Sequence, residues 1–434
     1  MIFAEHVKNN LLSLIQQMAA VPWLFSKNPA ADFSRSRKLD FAATIQFILS
    51  MESGSLKKEL LDYFQFSVDT PSASAFIQQR SKLLPEAFQF LFYEFNSLFS
   101  FQKNYKGYQL LACDGSDLNI ARNPNDTDTY LQSRAMDKGY NQLHLNALYD
   151  LCEKRYADVV IQPAHKGNES MAMTQMIDRC PGREKTIFIA DRGYEAYNIF
   201  AHVQEKGMYY LIRVKDGGKS SMVGSFTLPD TDEFDHSMNL VLTRKQTNEK
   251  KANPKQYKFL PKTSPFDYLD LHNKKFYTLN FRVVRFAISE DSYECMITNL
   301  PLEEFPEEEI KKIYSMRWGI ETSFRELKYA IGLSCFHSKK VEYIMQEIYA
   351  RLIIYNYCEI ITMNVVIHQK DTKHVYQMNY TIAIHICRYF LRSDISPPDV
   401  EKLIQNNLLP VRPGRSGPRK VRPKSVVSFL YRVA

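Results

Sequence analysis

Two aspartates stand at the ends of short apolar segments, a position that suits catalytic or metal-binding residues. Asp114 follows the run Gln109 to Cys113, and Asp191 follows the run Thr186 to Ala190. Short runs of this kind are typical of buried strands, and open α/β sheets place their active sites at the carboxyl ends of strands. Carboxylate oxygens are the ligands that Mg²⁺ prefers. The two aspartates therefore predict a divalent-metal site that a third carboxylate would complete.

A later segment offers that third carboxylate on a helix. Four residues lie at offsets 0, 3, 7 and 14, which at about 100° per residue puts them on one narrow helical face. They are Tyr314, Arg317, Glu321 and Lys328. An adjacent apolar stripe would dock the helix on a sheet, and it consists of Ile313, Met316, Ile320, Leu327 and Ile331. The pattern predicts one long helix from Glu307 to about Ala330. The alternative is an exposed helix with ordinary surface salt bridges, which leaves the adjacent Trp318 unexplained.

The elements that must position these residues follow from a change of periodicity along the chain. Helical apolar spacing comes first, and then three strands, a helix, a strand, a helix and a strand, an order that predicts a mixed α/β (α+β) sheet covered by helices. The predicted units are a helical N-terminal domain (1–103), the first part of the core (104–215), a β-rich insertion (216–291), the second part of the core with the Glu321 helix (292–370), and a C-terminal helical segment with a basic tail (371–434).

Two short helices around a tight turn in the first unit fit a helix-turn-helix that binds the DNA ends. The second helix would carry Gln78, Gln79, Arg80 and Lys82. A helical packing domain that does not contact DNA is the alternative that the sequence leaves open.

The charge is concentrated at the C-terminus. The chain has 434 residues, of which 45% are hydrophobic and 24% charged, the composition of a globular protein with a formal net charge of +8. Eight basic residues follow the last acid, Glu401, namely Lys402, Arg412, Arg415, Arg419, Lys420, Arg422, Lys424 and Arg432. The tail favours a polyanionic partner, and nucleic acid over a membrane because no amphipathic stripe accompanies the charge. A merely solubilising tail is the alternative.

Cysteine usage and hydropathy exclude other classes of protein. The seven cysteines include no Cys-x-x-Cys pair, which predicts reduced core residues of an intracellular protein and neither a disulfide framework nor a zinc site. The N-terminus carries acid and amide residues too early for a secretory signal. The most membrane-like stretch, Ile348 to Ile367, is interrupted by Arg351 and Glu359, so it is predicted to be a buried helix.

The helix and both aspartate motifs resemble one known family. The segment YSMRWGIETSFRELK has the spacing Tyr, two residues, Arg, three residues, Glu, six residues, Lys, which is the signature of the IS-four type of insertion-sequence DDE transposases. The resemblance extends through DGSD, GYNQLHLNALYDL, IADRGY and FHSKK, and it covers about residues 104–345.

This resemblance implies a ribonuclease-H-like mixed sheet flanked by helices, in which the catalytic residues Asp114, Asp191 and Glu321 hold two Mg²⁺ ions, with Mn²⁺ as a substitute. It implies cut-and-paste transposition, in which double-stranded DNA is cleaved at terminal inverted repeats and joined to target DNA. The DNA-bound enzyme is expected to be a homodimer. A cytoplasmic, nucleoid-associated location in bacteria without a membrane partner is expected as well.

The alternatives are a metal-dependent nuclease of the same fold and a catalytically silent DNA-binding repressor. The intact acidic triad argues against the repressor, because clustered carboxylates repel phosphates unless a metal ion neutralises them.

The resemblance also implies DNA contacts around the triad. Arg317 and Lys328 would bind phosphates near the cut, Tyr314 would contact the same backbone, and Trp318 would stack on a displaced base. Arg192 is a further expected backbone contact.

Four other residues have less specific expectations. His337 is expected either to contact a phosphate or to have a structural role. Relatives that flip a base often have another Trp before the signature helix, and Tyr293 or Phe305 would have to replace it here. His144 is expected to lie in the core.

Overall fold

The structure is a computed structural model, and it describes residues 3–99, 103–132, 138–181, 185–217, 221–253, 256–270, 275–290, 292–367, 375–393 and 399–411. The predicted basic tail, apart from Lys402, lies outside the described residues. No helix within these ranges is long and apolar enough to cross a membrane.

The first part of the chain is helical where it is described. Its helices are α1 (Phe3–Ala20), α2 (Phe41–Ser50), α3 (Leu56–Tyr63), α4 (Ala73–Arg80) and α5 (Glu86–Ser97). Three of them begin at polar residues, since Asp40, Ser55 and Ser72 each accept a backbone N–H from the first turn. These caps explain why the helices start where they do.

The centre of the chain forms the predicted alternation of strands and helices. The elements are β1 (Gln109–Ile120), β2 (Tyr130–Leu131), β3 (Tyr140–Asp150), β4 (Arg155–Pro163), α6 (Glu169–Arg179), β5 (Thr186–Ala190), α7 (Tyr197–Glu205) and β6 (Tyr209–Val214). Strands β1, β3 and β4 form an antiparallel meander. Strand β5 pairs with β1 in parallel, and β6 pairs with β5 in parallel.

The segment predicted as an insertion extends the same sheet. It contains β7 (Phe234–Thr243), α8 (Asn248–Ala252), β8 (Tyr257–Phe259) and β9 (Phe276–Ser289), and β10 (Ser292–Thr298) follows. Because β9 pairs with β10 and β10 pairs with β6, the described strands form one mixed sheet in the order β2-β3-β1-β5-β6-β10-β9-β7-β8, with β4 on β3. The predicted fold class, a mixed sheet flanked by helices, is confirmed.

The last elements are mostly helical. They are α9 (Glu307–Met316), α10 (Trp318–Tyr329), α11 (Val341–Thr362), β11 (Tyr376–Met378), α12 (Tyr380–Arg392), α13 (Val400–Asn406) and β12 (Leu408–Pro410). The prediction of one unbroken helix from Glu307 to about Ala330 is wrong. The chain tightens at Arg317, whose N–H donates to the carbonyl of Tyr314 three residues back, so the signature residues span two helices.

Each face of the sheet has its own apolar core. Helices α6 and α7 cover one face through residues such as Met173 and Phe200, whereas α9, α10 and α11 cover the other face through residues such as Ile320. Helix α11 is buried over most of its length against the N-terminal helices and α12, which confirms the prediction of a buried helix there. The sheet is therefore a rigid layer between two sets of helices.

A buried network of charges joins the N-terminal helices to α11. Arg80 donates from Nη1 to Glu347 Oε1 at 2.9 Å and from Nε to Gln346 Oε1 at 2.8 Å. Arg80 and Gln79 are buried, so α4 cannot present them to DNA. The helix-turn-helix prediction is wrong for these two residues, because they make contacts that hold the core together.

The same network fixes the charge of Glu347. Burial raises the pKa of this carboxyl, but Arg80 and then His337 outweigh that effect and hold the pKa at about 2. Replacing Glu347 by Gln leaves Arg80 without its charged partner. We expect Glu347→Gln to lower the free energy of unfolding at pH 7 by about 3–5 kcal/mol in urea denaturation. Since the pKa falls from 4.5 on folding, this stabilisation is present above that pH and is lost as the pH drops towards 2.

An exposed ion pair serves as the matched control. Lys58 and Asp62 lie 2.6 Å apart on α3, and the Lys58 side chain is 67% exposed. Asp62→Asn should change the free energy of unfolding by less than about 1 kcal/mol. Two results would contradict the stabilising role of charged Glu347. One is an equal loss of unfolding free energy in the two variants, and the other is a stability difference between wild type and Glu347→Gln that does not decrease in acid.

Candidate active site

Asp114 and Asp191 are neighbours because of strand register. Cys113 on β1 lies opposite Ala190 at the end of β5, in parallel pairing, so the next residue of each strand is one of the two aspartates. The expectation that both strands end there is only half right. Strand β5 ends at Ala190, whereas β1 continues to Ile120 along β3. The carboxylates thus sit where β5 stops and the sheet opens beside β1.

Backbone N–H groups orient both aspartates. The N–H of Gly115 donates to Asp114 Oδ1 at 2.8 Å, and the N–H of Gly193 donates to Asp191 Oδ1 at 2.8 Å. The bond from Gly115 favours the charged form of Asp114. Each aspartate is therefore fixed by the turn or strand that immediately follows it.

Glu321 approaches from α10 together with Arg317. Arg317 Nη2 donates to Glu321 Oε1 at 2.8 Å, and Arg317 is only 6% exposed. Burial is the main reason that the pKa of Asp114 is raised to about 6, and the negative charges of Asp191 and Glu321 add to the increase. The N–H of Gly115 and the charge of Arg317 oppose it. The structure therefore places Asp191 and Glu321 near enough to Asp114 for their charges to affect its pKa.

The donor set suits a divalent cation, although its present arrangement is not a finished metal site. Among the described residues, no three or more His, Cys, Asp or Glu side chains are grouped so that they could hold a metal ion. At this site Glu321 Oε1 is paired with Arg317 Nη2 at 2.8 Å. Carboxylate oxygens are the appropriate ligands for Mg²⁺, and a cation would stabilise the charged form of Asp114, whose pKa is raised mainly by burial. The three residues fit the metal in the chemistry of their donor atoms.

The other residues of the signature differ in their exposure. Trp318 is 55% exposed, so part of its ring surface is accessible for the expected stacking on a base. Arg317 Cζ lies 5.6 Å from the centre of the Trp318 ring and 5.6 Å from that of Tyr314. Tyr314 is buried. Its ring therefore packs against Arg317, and little of its surface is accessible to DNA. Lys328 Nζ donates to the carbonyl of Asp117 at 2.8 Å, which ties α10 to β1.

Two of the remaining predicted contacts lie in opposite environments. Arg192 follows Asp191 directly and is exposed. His337 is buried, with a side chain 2% exposed between Glu59 and Glu347, 3.3 Å from each. The expectation of a phosphate contact is therefore wrong for His337, and its structural alternative is the one observed.

The proposed substitutes for a second tryptophan are poorly placed for stacking. Phe305 is fully buried. Tyr293 packs against Arg285, whose Cζ lies 4.1 Å from the centre of the ring. Trp318, which is 55% exposed, has more accessible surface than Phe305.

The sequence reading missed two residues beside the aspartates. His144 is not a core residue, because its Nδ1 lies 2.8 Å from Asp117 Oδ1 and its Nε2 lies 3.0 Å from Glu169 Oε1. Glu169 begins α6. A signal was present in the strand, where Gln142, His144 and Asn146 form a polar row on one face between apolar neighbours. That row indicates a polar environment but does not identify the partners.

Comparison with known proteins gives one family match. The family model described as the transposase DDE domain matches residues 105–357, a range that includes Asp114, Asp191 and Glu321. No curated protein sequence matches the chain. Among solved structures, the fold is similar to that of the piggyBac transposase in the cryo-EM structure of its synaptic complex with hairpin DNA. The TM-score is 0.45 at 10% sequence identity, over 95% of this chain and 87% of that chain.

Proposed function

Since the chain belongs to the transposase DDE domain family, whose enzymes cleave and join DNA, we propose that it is the transposase of an insertion sequence and acts by cut and paste. It cleaves double-stranded DNA at the terminal inverted repeats of its element and transfers the freed ends to target DNA. The observation that supports this proposal best is the strand register that makes Asp114 and Asp191 neighbours, with Glu321 near enough for its charge to raise the pKa of Asp114.

The three carboxylates are the proposed ligands of two Mg²⁺ ions, which Mn²⁺ can replace. When bound, such ions activate the attacking water or 3′-hydroxyl and stabilise the leaving oxygen. The chain itself contributes the preset positions of Asp114 and Asp191 and a movable Glu321. When Glu321 turns from Arg317, the guanidinium becomes available to bind a DNA phosphate in a bidentate manner.

The proposed DNA surface surrounds this centre. Arg317, Trp318 and Arg192 contact the DNA end, and Trp318 stacks on a base displaced during processing. Tyr314 and Lys328 support the site without contacting DNA. Tyr314 is buried next to Arg317, and Lys328 donates a hydrogen bond to the backbone of β1.

The proposed assembly and location follow from the reaction. An element has two ends, and one chain provides one set of carboxylates, so a homodimer in the DNA complex supplies one centre for each end. The basic residues of the tail add affinity for DNA through counterion release. We place the protein on the nucleoid in the bacterial cytoplasm, where its substrate is found.

We expect Asp114→Ala, Asp191→Ala and Glu321→Ala each to reduce cleavage of a labelled terminal-repeat duplex by roughly 10³-fold or more, because each removes a group that stabilises charge in the reaction. The duplex sequence is read from the inverted repeats in the DNA that flanks the gene. Binding of the duplex, measured by gel shift, should be nearly unchanged, since phosphate contacts supply the affinity.

Glu308→Ala is the control, because Glu308 is an exposed carboxylate on α9 with a side chain 84% exposed. It should cleave like the wild type. Full cleavage by one triad variant would remove that residue from the triad. A wild-type protein that binds the duplex tightly and cleaves nothing would favour the repressor, and cleavage without joining would favour the nuclease.

Trp318→Ala should nick the first strand at the normal rate but complete the second strand slowly. Base stacking on an aromatic ring is worth about 1–3 kcal/mol, which corresponds to roughly a tenfold to hundredfold loss in the step that needs the displaced base. Gel analysis should show that nicked ends accumulate and that hairpin or double-strand products are scarce.

Trp23→Ala is the matched control, because the only other tryptophan of the chain is similarly exposed at 50% and lies outside the signature helices. It should process both strands normally. If Trp318→Ala also processes both strands normally, or if the wild-type enzyme releases ends without a hairpin, then base stacking by Trp318 is wrong.

A further inference from the structure

A second polar cluster lies behind the candidate active site, on the opposite face of β1. Side chains alternate between the faces of a strand, so Asp117 points away from the face that Asp114 occupies. His144 lies opposite Asp117 in the pairing of β3 with β1. Its Nδ1 is 2.8 Å from Asp117 Oδ1, and its Nε2 is 3.0 Å from Glu169 Oε1. The imidazole is therefore held between two carboxylates from two different elements.

The imidazole ring of His144 packs closely against the backbone of Gly115, the residue that follows Asp114. A Cβ at Gly115 would lie only 2.4 Å from His144 Nε2 and 2.8 Å from Glu169 Oε1, so only glycine fits there. The N–H of this same Gly115 orients Asp114. The close approach thus connects the position of His144 directly to the peptide that sets the carboxylate.

Glu169 extends the connection to the second aspartate. A Cβ at Gly193 would lie 3.4 Å from Glu169 Oε2 and 3.1 Å from Asp191 Oδ1. Gly193 is also the residue whose N–H donates to Asp191. One side chain at the start of α6 therefore lies against both glycines that orient the two aspartates.

Lys328 holds the same strand from the other face. Its Nζ donates to the carbonyl of Asp117, while the Asp117 carboxylate contacts His144. The segment from Asp114 to Asp117 is consequently fixed on one side by the signature helix and on the other by His144 and Glu169.

We propose that His144, bound between Asp117 and Glu169, is a positioning residue that holds the backbone of Asp114 and Asp191 in register for metal binding. We call the contacts of His144 with Asp117, Glu169 and Gly115 the clamp. The inference rests on the proposed function only for its consequence in catalysis, because the clamp itself is a property of the free protein. Contacts with Asp117 and Glu169 raise the pKa of His144 to about 9, so the cation persists at neutral pH and offsets the two carboxylates.

The chain offers a matched control in His202. This histidine on α7 also lies between two carboxylates, with Nδ1 2.7 Å from Asp178 and Nε2 2.9 Å from Asp267. Asp178 stands near the opposite end of α6 from Glu169. His202→Ala therefore removes an equivalent arrangement without touching the aspartate turns.

The clamp is tested first by hydrogen exchange in the free protein, without metal or DNA. His144→Ala should speed exchange of the Gly115 and Gly193 amides at least tenfold, while His202→Ala leaves both unchanged. His144→Gln, which keeps a donor in reach of Glu169, should restore much of the protection. His144→Asn, which keeps only the donor towards Asp117, should restore less. Unchanged exchange in His144→Ala, or equal effects of His144→Ala and His202→Ala, would overturn the proposal.

The consequence is tested by Mn²⁺ titration followed by electron paramagnetic resonance, and by cleavage assays. His144→Ala should raise the Mn²⁺ concentration for half-saturation about tenfold and slow cleavage to match, with unchanged affinity for the DNA end. Wild-type Mn²⁺ binding by His144→Ala would overturn the positioning role and leave the proposed function intact. A wild-type protein that binds no Mn²⁺ even with the terminal-repeat duplex present would refute the proposed function, whereas faster exchange at the two glycines in His144→Ala would still establish the positioning contacts of His144. Weakened DNA affinity at unchanged Mn²⁺ binding would make His144 a DNA contact and overturn the proposal.

Discussion

The burial of an acidic group beside other acidic groups at the edge of the sheet is the constraint on which the proposed site depends. The proposed metal site needs Asp114, Asp191 and Glu321 close together, and burial first, with the charges of Asp191 and Glu321 in addition, raises the pKa of Asp114 to about 6. Groups next to each acid offset the electrostatic cost of these charges. Arg317 pairs with Glu321, and the N–H groups of Gly115 and Gly193 bind the two aspartates. Every one of these partners lies on or next to the element that carries the acid.

The wider fold keeps these local solutions in register. Parallel pairing of β1 with β5 sets the two aspartates side by side, and the apolar stripe of α10 docks Glu321 above the same sheet face. The opposite face carries His144 and Glu169 against the glycines. A rigid sheet with a separate core on each face can therefore hold acidic groups of like charge near one another without large movement.

The sequence was informative where chemistry follows from local spacing. The apolar runs before Asp114 and Asp191 placed both acids at one sheet edge, and the helical spacing around Glu321 put it beside Arg317. Local spacing could not show which polar residues are buried, because their partners are distant in sequence. Arg80 is buried by Glu347, 267 residues away, and His337 lies between glutamates from two helices. The helical projection also assumed a straight helix, so it missed the change at Arg317. The length of β1 beyond Asp114 depends on pairing with β3, which a single apolar run does not reveal.

The most direct measurement is the anomalous scattering of Mn²⁺ in crystals of the wild-type protein bound to a terminal-repeat duplex. We expect Mn²⁺ peaks between Asp114 and Asp191, with Glu321 turned from Arg317 to become a ligand and Arg317 on a DNA phosphate. Peaks elsewhere in the molecule, or peaks at the aspartates with Glu321 still paired to Arg317, would contradict the assignment of these three acids as one metal-binding centre.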